Sequence, residues 1–259
     1  MTDPDPWAAF RPSTPARIGL GHVGGSLPTA AHLAFQLAHA RARDAVHRAL
    51  DVPILIKDLG RIGLRAVAIR TAAANRFEHL RRPDLGRRLD PASRAALAGL
   101  AESGARSPDV VFVVAGGLSA NAAQQHATPL LEALVPALIS EEWRIGPVLV
   151  AEHGRVALGD EVGDLLSARL VTVLIGERPG LSSPDSLGVY LTWQPKVGRT
   201  DAERNCISNV RPEGLRYAPA AERLRFLLVE ARRRRLTGVG LKDDGLPGTS
   251  VPPPQLGSC

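Results

Sequence analysis

The residues with the most chemical potential lie in one short stretch, Gly176-Glu177-Arg178-Pro179-Gly180-Leu181-Ser182-Ser183-Pro184-Asp185-Ser186. It follows the apolar run Leu170 to Ile175, so it sits beyond the carboxyl end of an expected strand, where open α/β sheets place their ligands. Its glycines and prolines define the backbone and allow close approach. Its serines and carboxylates can bond the amides or hydroxyls of a ligand. The bland alternative is a structural loop holding an internal Glu177–Arg178 pair. Nothing local identifies the ligand.

Other reactive types are weaker candidates. Cys206, in Arg204-Asn205-Cys206-Ile207-Ser208-Asn209, would need a histidine base to act as a nucleophile, and no histidine follows His153. Its residue context reads as a buried, unreactive thiol. Ser119, in Gly117-Leu118-Ser119-Ala120, lacks the spacing of a nucleophile elbow and reads as a strand-to-helix turn. Gly19-Leu20-Gly21-His22-Val23-Gly24 matches GxGxxG, but Arg11-Pro12-Ser13-Thr14-Pro15 before it is no strand, so a dinucleotide fingerprint is not indicated. A glycine-rich arm lying against another surface fits better. His32, His39 and His47 fall two helical turns apart, about 10–12 Å along a helix axis, too far to share one metal ion. They read as surface or interface histidines.

The elements that must position these residues follow from periodicity. Residues 1–28 read as an irregular arm. Thr29 to Asp51 has helical spacing, with Thr29 able to cap its start. A second helix is expected from about Leu64 to Leu80, ending before Arg82-Pro83, and a third from Pro91 to Ala101. Asp109 to Ala115 is a continuous β-branched run of the kind found in buried parallel strands. Helical spacing returns over Leu118 to Leu138, with Pro129 a kink or restart. A strand at Pro147 to Ala151, a helix from about Gly159 to Ala168, the strand Leu170 to Ile175, an extended Leu187 to Trp193 and a helix from Ala220 to Leu236 complete the series. The expectation is an α/β fold, Rossmann-like, with a mostly parallel sheet and helices on both faces. Its parts would be an arm over 1–28, a helical N-terminal region over 29–105, an α/β domain over 106–242 and a disordered tail over 243–259.

Composition narrows the class. The 259 residues are 44% hydrophobic and 22% charged, ordinary for a folded protein, while aromatics at 4% leave the core to aliphatic side chains. Of 32 basic residues only Lys57, Lys196 and Lys242 are lysine, and the net charge of +6 is spread along the chain. Nucleic-acid binding would add a clustered patch with stacking aromatics. The one dense run, Arg232 to Arg235, falls near a helix end, where cations meet the dipole favourably. Two cysteines make no disulfide framework, and neither a signal peptide nor a membrane span is expected. A cytoplasmic protein without nucleic-acid or membrane partners is the consistent reading. On these residues alone a nucleotide-binding α/β module and a scaffold protein stay open.

Several blocks resemble a known family. Arg17-Ile18-Gly19-Leu20-Gly21 with Ser26-Leu27-Pro28-Thr29 is similar to the opening of ethanolamine ammonia-lyase small subunits. The similarity continues through Phe35-Gln36, His39 to His47, Arg82 to Leu89 and Gly117 to Ala120. It is strongest at Ile175 to Leu181 and Cys206 to Asn209. The resemblance implies a subunit that closes over adenosylcobalamin at an interface with a large TIM-barrel subunit, in a hetero-oligomer converting ethanolamine to acetaldehyde and ammonia. It implies cofactor contacts at Val156, Glu177 and Cys206, with no catalytic side chain and no metal ligand supplied by this chain. For Cys206 it replaces the buried-thiol reading with a ligand contact. Packaging inside a bacterial microcompartment stays open, since residues 1–16 show no helical periodicity. One position departs from the family pattern: Gly116 stands where an aspartate is usual.

Overall fold

The computed structural model describes residues 6–102 and 107–242. The expected tail, 243–259, lies outside the described residues. Strands β1 (Ala66–Ile69), β2 (Val110–Ala115), β3 (Val148–Ala151), β4 (Leu170–Gly176), β5 (Leu187–Trp193) and β6 (Arg204–Val210) form one sheet in the order β1-β3-β2-β4-β5-β6. Between them run α1 (Thr29–His47), α2 (Val52–Arg61), α3 (Arg76–Arg81), α4 (Pro91–Glu102), α5 (Ala120–Ser140), α6 (Leu158–Leu165) and α7 (Tyr217–Arg234).

The α/β class holds, but the sheet is mixed. β1, β3, β2 and β4 are parallel, whereas β5 runs antiparallel to β4 and β6 antiparallel to β5. The reason lies in the connections. Parallel neighbours need a crossover, usually a helix, and neither the segment joining Gly176 to Leu187 nor that joining Trp193 to Arg204 holds an α-helix. The chain can only fold back on itself there.

The expected helix over 64–80 is replaced by β1, a turn and the short α3. Ala66-Val67-Ala68-Ile69 pairs with β3 in register, Ala66 opposite Val148 and Ile69 opposite Ala151. Tertiary pairing thus overrides the helical propensity of an alanine-rich stretch. The first helix ends at His47, and Pro28 rather than Thr29 occupies its N-cap. Asp51, expected inside that helix, instead caps α2 by accepting from the Ile54 amide at 3.0 Å. Pro129 causes no restart: α5 runs continuously through Pro129 and Pro136, its apolar face buried along the whole length.

Two cores sandwich the sheet. On one face Phe112, Val114, Leu170, Leu174, Val189 and Leu191 meet Leu55 and Leu59 of α2, Leu130 and Leu134 of α5, and Leu224 and Leu228 of α7. On the other, Val111, Val113, Val171 and Val173 meet Leu97 of α4 and Leu158 and Val162 of α6. Every residue of β2 and β4 is buried, as expected for strands covered on both sides.

Beyond α7 the chain returns along the β5–β6 hairpin. Thr237 accepts from the Trp193 amide and donates to the Glu203 carbonyl, and Asn205 bonds Gly238 and Leu241.

Candidate functional site

The site grows from the end of β4. After Gly176 the chain makes a loop closed at its base by the Glu177 amide donating to the Ser186 carbonyl at 2.9 Å, with a tight Gly180–Ser183 turn inside it. Glu177 is half-buried and turns toward β6 rather than toward Arg178. Its carboxylate accepts from the hydroxyls of Ser186 and Ser208, the latter at 2.8 Å, and from the Asn209 amide at 3.4 Å. Gly188 makes room for this: a Cβ there would come within 2.8 Å of Glu177 Oε1 and 3.0 Å of the Tyr190 ring.

The far end of the loop is fixed separately. Ser119, the N-cap of α5, donates to the Pro184 carbonyl at 2.8 Å. Asp185 lies 3.5 Å from both His126 Nε2 and Arg211 Nη1, and His126 Nδ1 shares a 2.8 Å hydrogen bond with the Tyr217 hydroxyl. Burial lowers the His126 pKa, with Asp185 opposing the shift.

Cys206 sits on β6 directly opposite Tyr190 of β5. It is exposed, so the buried reading drawn from its sequence context does not hold. Desolvation of the sulfur nevertheless pushes the thiol pKa up, against the pull of a hydrogen bond from Tyr190. Burial also raises the Tyr190 pKa, and the bond to Cys206 adds to that shift. Val156 lies in the turn between β3 and α6 and packs, like Tyr190, against the second core. Tyr190 thus stands beside both Cys206, its partner across the strands, and Glu177, which shares the space over Gly188, while Val156 packs against the same core from the turn before α6.

A buried ion pair holds the start of β6. Arg204 grips Asp160 through two bonds of 2.6 Å, and also bonds the Thr192 hydroxyl at 2.9 Å and the Arg199 carbonyl at 3.0 Å. Burial lowers the Arg204 pKa, but the bonds and charge of Asp160, together with the charges of Asp201 and Glu203, more than offset this and raise it.

A second polar cluster closes the ends of β2 and β3. Arg76 donates to the carbonyls of Val46, Gly117 and Leu118, His79 Nε2 meets the Gly117 carbonyl at 3.1 Å, and His79 stacks on His153. Gly116 belongs here, and a Cβ on it would collide with the Glu152 carbonyl. The backbone is thus closed at Gly116, leaving no room for a side chain there.

The weaker candidates fall as follows. Gly19, Gly21 and Gly24 all have positive φ and shape the turns of the arm, with neither a strand before them nor a helix opening from them. The arm touches the site loop, Ser182 donating to the Pro15 carbonyl at 3.4 Å. His32, His39 and His47 are exposed on α1. Among the described residues no group of three or more His, Cys, Asp or Glu is placed to hold a metal ion, and no helix is long and apolar enough to cross a membrane.

A family model described as ethanolamine ammonia-lyase light chain (EutC) matches residues 4–242. The chain belongs to that family. It is 56% identical over 240 residues to the ethanolamine ammonia-lyase small subunit of Azotobacter vinelandii, covering 93% of this chain and 89% of the relative. The small subunit of Xanthomonas campestris pv. campestris is likewise 56% identical, and that of Pseudomonas aeruginosa 54%, each over 93% of this chain and 88% of the relative.

Against this family background, the residues that sequence reasoning missed are Tyr190, Ser208 and the Asp160–Arg204 pair. Tyr190 hides inside an apolar run. Ser208 and Arg204 gain meaning only once their segment is seen as a strand. The alternation Arg204, Cys206, Ser208 against Ile207 was the available signal.

Proposed function

We propose that this ethanolamine ammonia-lyase light-chain member is the small subunit of an adenosylcobalamin-dependent enzyme that converts ethanolamine to acetaldehyde and ammonia. In this reading it acts only with a large TIM-barrel subunit, in a cytoplasmic hetero-oligomer, with packaging into a microcompartment left to experiment. The observation that carries the reading is the family match across residues 4–242, which includes every element around the Glu177 loop.

The chemistry of the loop supports it. A corrin ring is rimmed with carboxamides, whose N–H groups suit a carboxylate acceptor. An ionised carboxylate offers about four acceptor positions, and Glu177 uses three of them on Ser186, Ser208 and Asn209. Capacity for a ligand amide is left over. Cys206 and Val156 add compact, polarisable or apolar surface beside it. With these contacts the chain binds and orients the cofactor, and by covering it keeps water and stray hydrogen donors away. Bound adenosylcobalamin supplies the radical chemistry that side chains cannot. No side chain here is assigned an acid, base or nucleophile role.

The test compares the purified chain with the chain co-purified with its large subunit, each given adenosylcobalamin and ethanolamine, with acetaldehyde as the readout. Turnover by the pair and none by the isolated chain is expected. Turnover by the isolated chain would overturn the division of labour, and an inert pair would overturn the function.

A further inference from the structure

The Asp160–Arg204 pair is the best-enclosed ion pair near the site, its side chains 1% and 3% exposed. It joins the two elements that carry Val156 and Cys206. Asp160 lies in the first turn of α6, and the turn before it is continuous with the helix. The Gly159 amide donates to the Val156 carbonyl at 3.1 Å and the Asp160 amide to the Ala157 carbonyl at 3.2 Å. Val156 and Asp160 therefore move as one unit. Arg204 opens β6, and Cys206 two positions on shares its side of the strand, because strand side chains alternate with period two.

Attachment of α6 does not require the pair. Leu158 and Val162 are fully buried, and Gly159 packs directly on Val173 of β4. Burying an ion pair is also a poor source of stability, since desolvation offsets most of the attraction. What a bidentate guanidinium–carboxylate contact adds is direction. Apolar surfaces tolerate sliding, whereas the planar fork accepts one orientation and one spacing. The two terminal guanidinium nitrogens also reach Thr192 of β5 and the Arg199 carbonyl, which extends the constraint.

We infer that Asp160 and Arg204 are positioning residues: they fix the Val156 turn relative to the Cys206 strand, and so set the spacing of the surface offered to the cofactor. The inference rests on the proposed reading of that surface. Neither side chain reaches the surface itself, so neither is a catalytic residue.

The test uses the two-subunit complex, with adenosylcobalamin affinity read by visible absorption titration and stability by thermal melting. An Asp160→Leu, Arg204→Met double variant replaces the pair with apolar side chains. Retained melting and assembly with about tenfold weaker cofactor binding is expected, the scale typical when the supports of a ligand's contacts are removed. Unchanged affinity would overturn the inference, as would a loss of affinity that only tracks a loss of melting temperature. Should the double variant fail to assemble, Arg204→Lys, which keeps the charge but not the fork, is read against the same two outcomes. Glu177→Ala serves as the control in the same titration. If it too leaves affinity unchanged, the reading of the surface has failed. If it weakens binding while the pair variants do not, only the positioning inference falls.

Discussion

Tyr190 and Cys206 are direct partners across β5 and β6, and the phenol beside the sulfur draws the thiol pKa down while burial pushes it up. The pair is a thiol that solvent can reach but whose ionised form is disfavoured. For a residue expected to lie against a cobalt cofactor this matters, because the thiolate rather than the thiol is the metal ligand and nucleophile.

Alkylation should report this directly. In a Cys259→Ser background, the pH dependence of Cys206 alkylation, followed by mass spectrometry, is expected to have its midpoint above the usual cysteine range. Tyr190→Phe removes the one interaction that lowers the thiol pKa, so its midpoint should move higher still. A midpoint at or below the usual value would contradict the geometry.

Glu177→Gln keeps size and removes charge. Its amide nitrogen cannot accept from Ser186, Ser208 or Asn209, so the isolated chain should lose about 1 kcal/mol of stability by denaturant melting. Cofactor affinity in the complex should fall about tenfold, equivalent to ~1.4 kcal/mol. An affinity unchanged at that stability loss would remove Glu177 from the cofactor surface.

His79 gives a pH prediction. Burial first, then the charges of Arg155 and Arg76, lower its pKa to about 4. The folded value lies below the unfolded value near 6.5, so the folded state favours the neutral ring. Its contribution is complete above about pH 6.5 and is lost as pH falls toward 4, on the order of 3 kcal/mol over that window. His79→Gln, which keeps a donor for the Gly117 carbonyl, should flatten the stability profile between those values in denaturant melts across pH. An unaltered slope would show that the ring does not titrate there.

Gly116→Asp puts a carboxylate at the position where the resemblance implied one, and tests how tightly the backbone is closed there. The new Cβ meets the Glu152 backbone carbonyl, which cannot rotate away as a side chain would. A loss of about 1–3 kcal/mol is expected, the usual range for overpacking, read as a lowered melting temperature. A rise would mean that the ends of β2 and β3 open readily.

What the sequence discloses depends on how local each feature is. β2 and β4 are legible because both their faces are buried, leaving uninterrupted apolar runs. β6 is not, because only Ile207 and Val210 of its residues are apolar and buried, while Cys206, Ser208 and Asn209 face outward. β1 is four residues long and carries two alanines, so its identity comes from β3 beside it. The same holds at the site. Glu177 is recognisable as an acid after an apolar strand, whereas its partners Ser208 and Asn209 lie a hairpin away. The Asp160–Arg204 pair spans two elements with no shared pattern, and no spacing rule links them.

The return of the chain along β6 has a consequence for solubility. A terminal strand with free amides and carbonyls is a template for pairing with other molecules. In this protein Asn205 clasps Gly238 and Leu241, and Thr237 fastens the hairpin base. That lacing lays the chain after α7 beside the start of the strand, where it stands in the way of a neighbouring polypeptide adding to the sheet at that end. Shortening the chain to end at α7 would remove that cover and open this end of the edge strand to pairing.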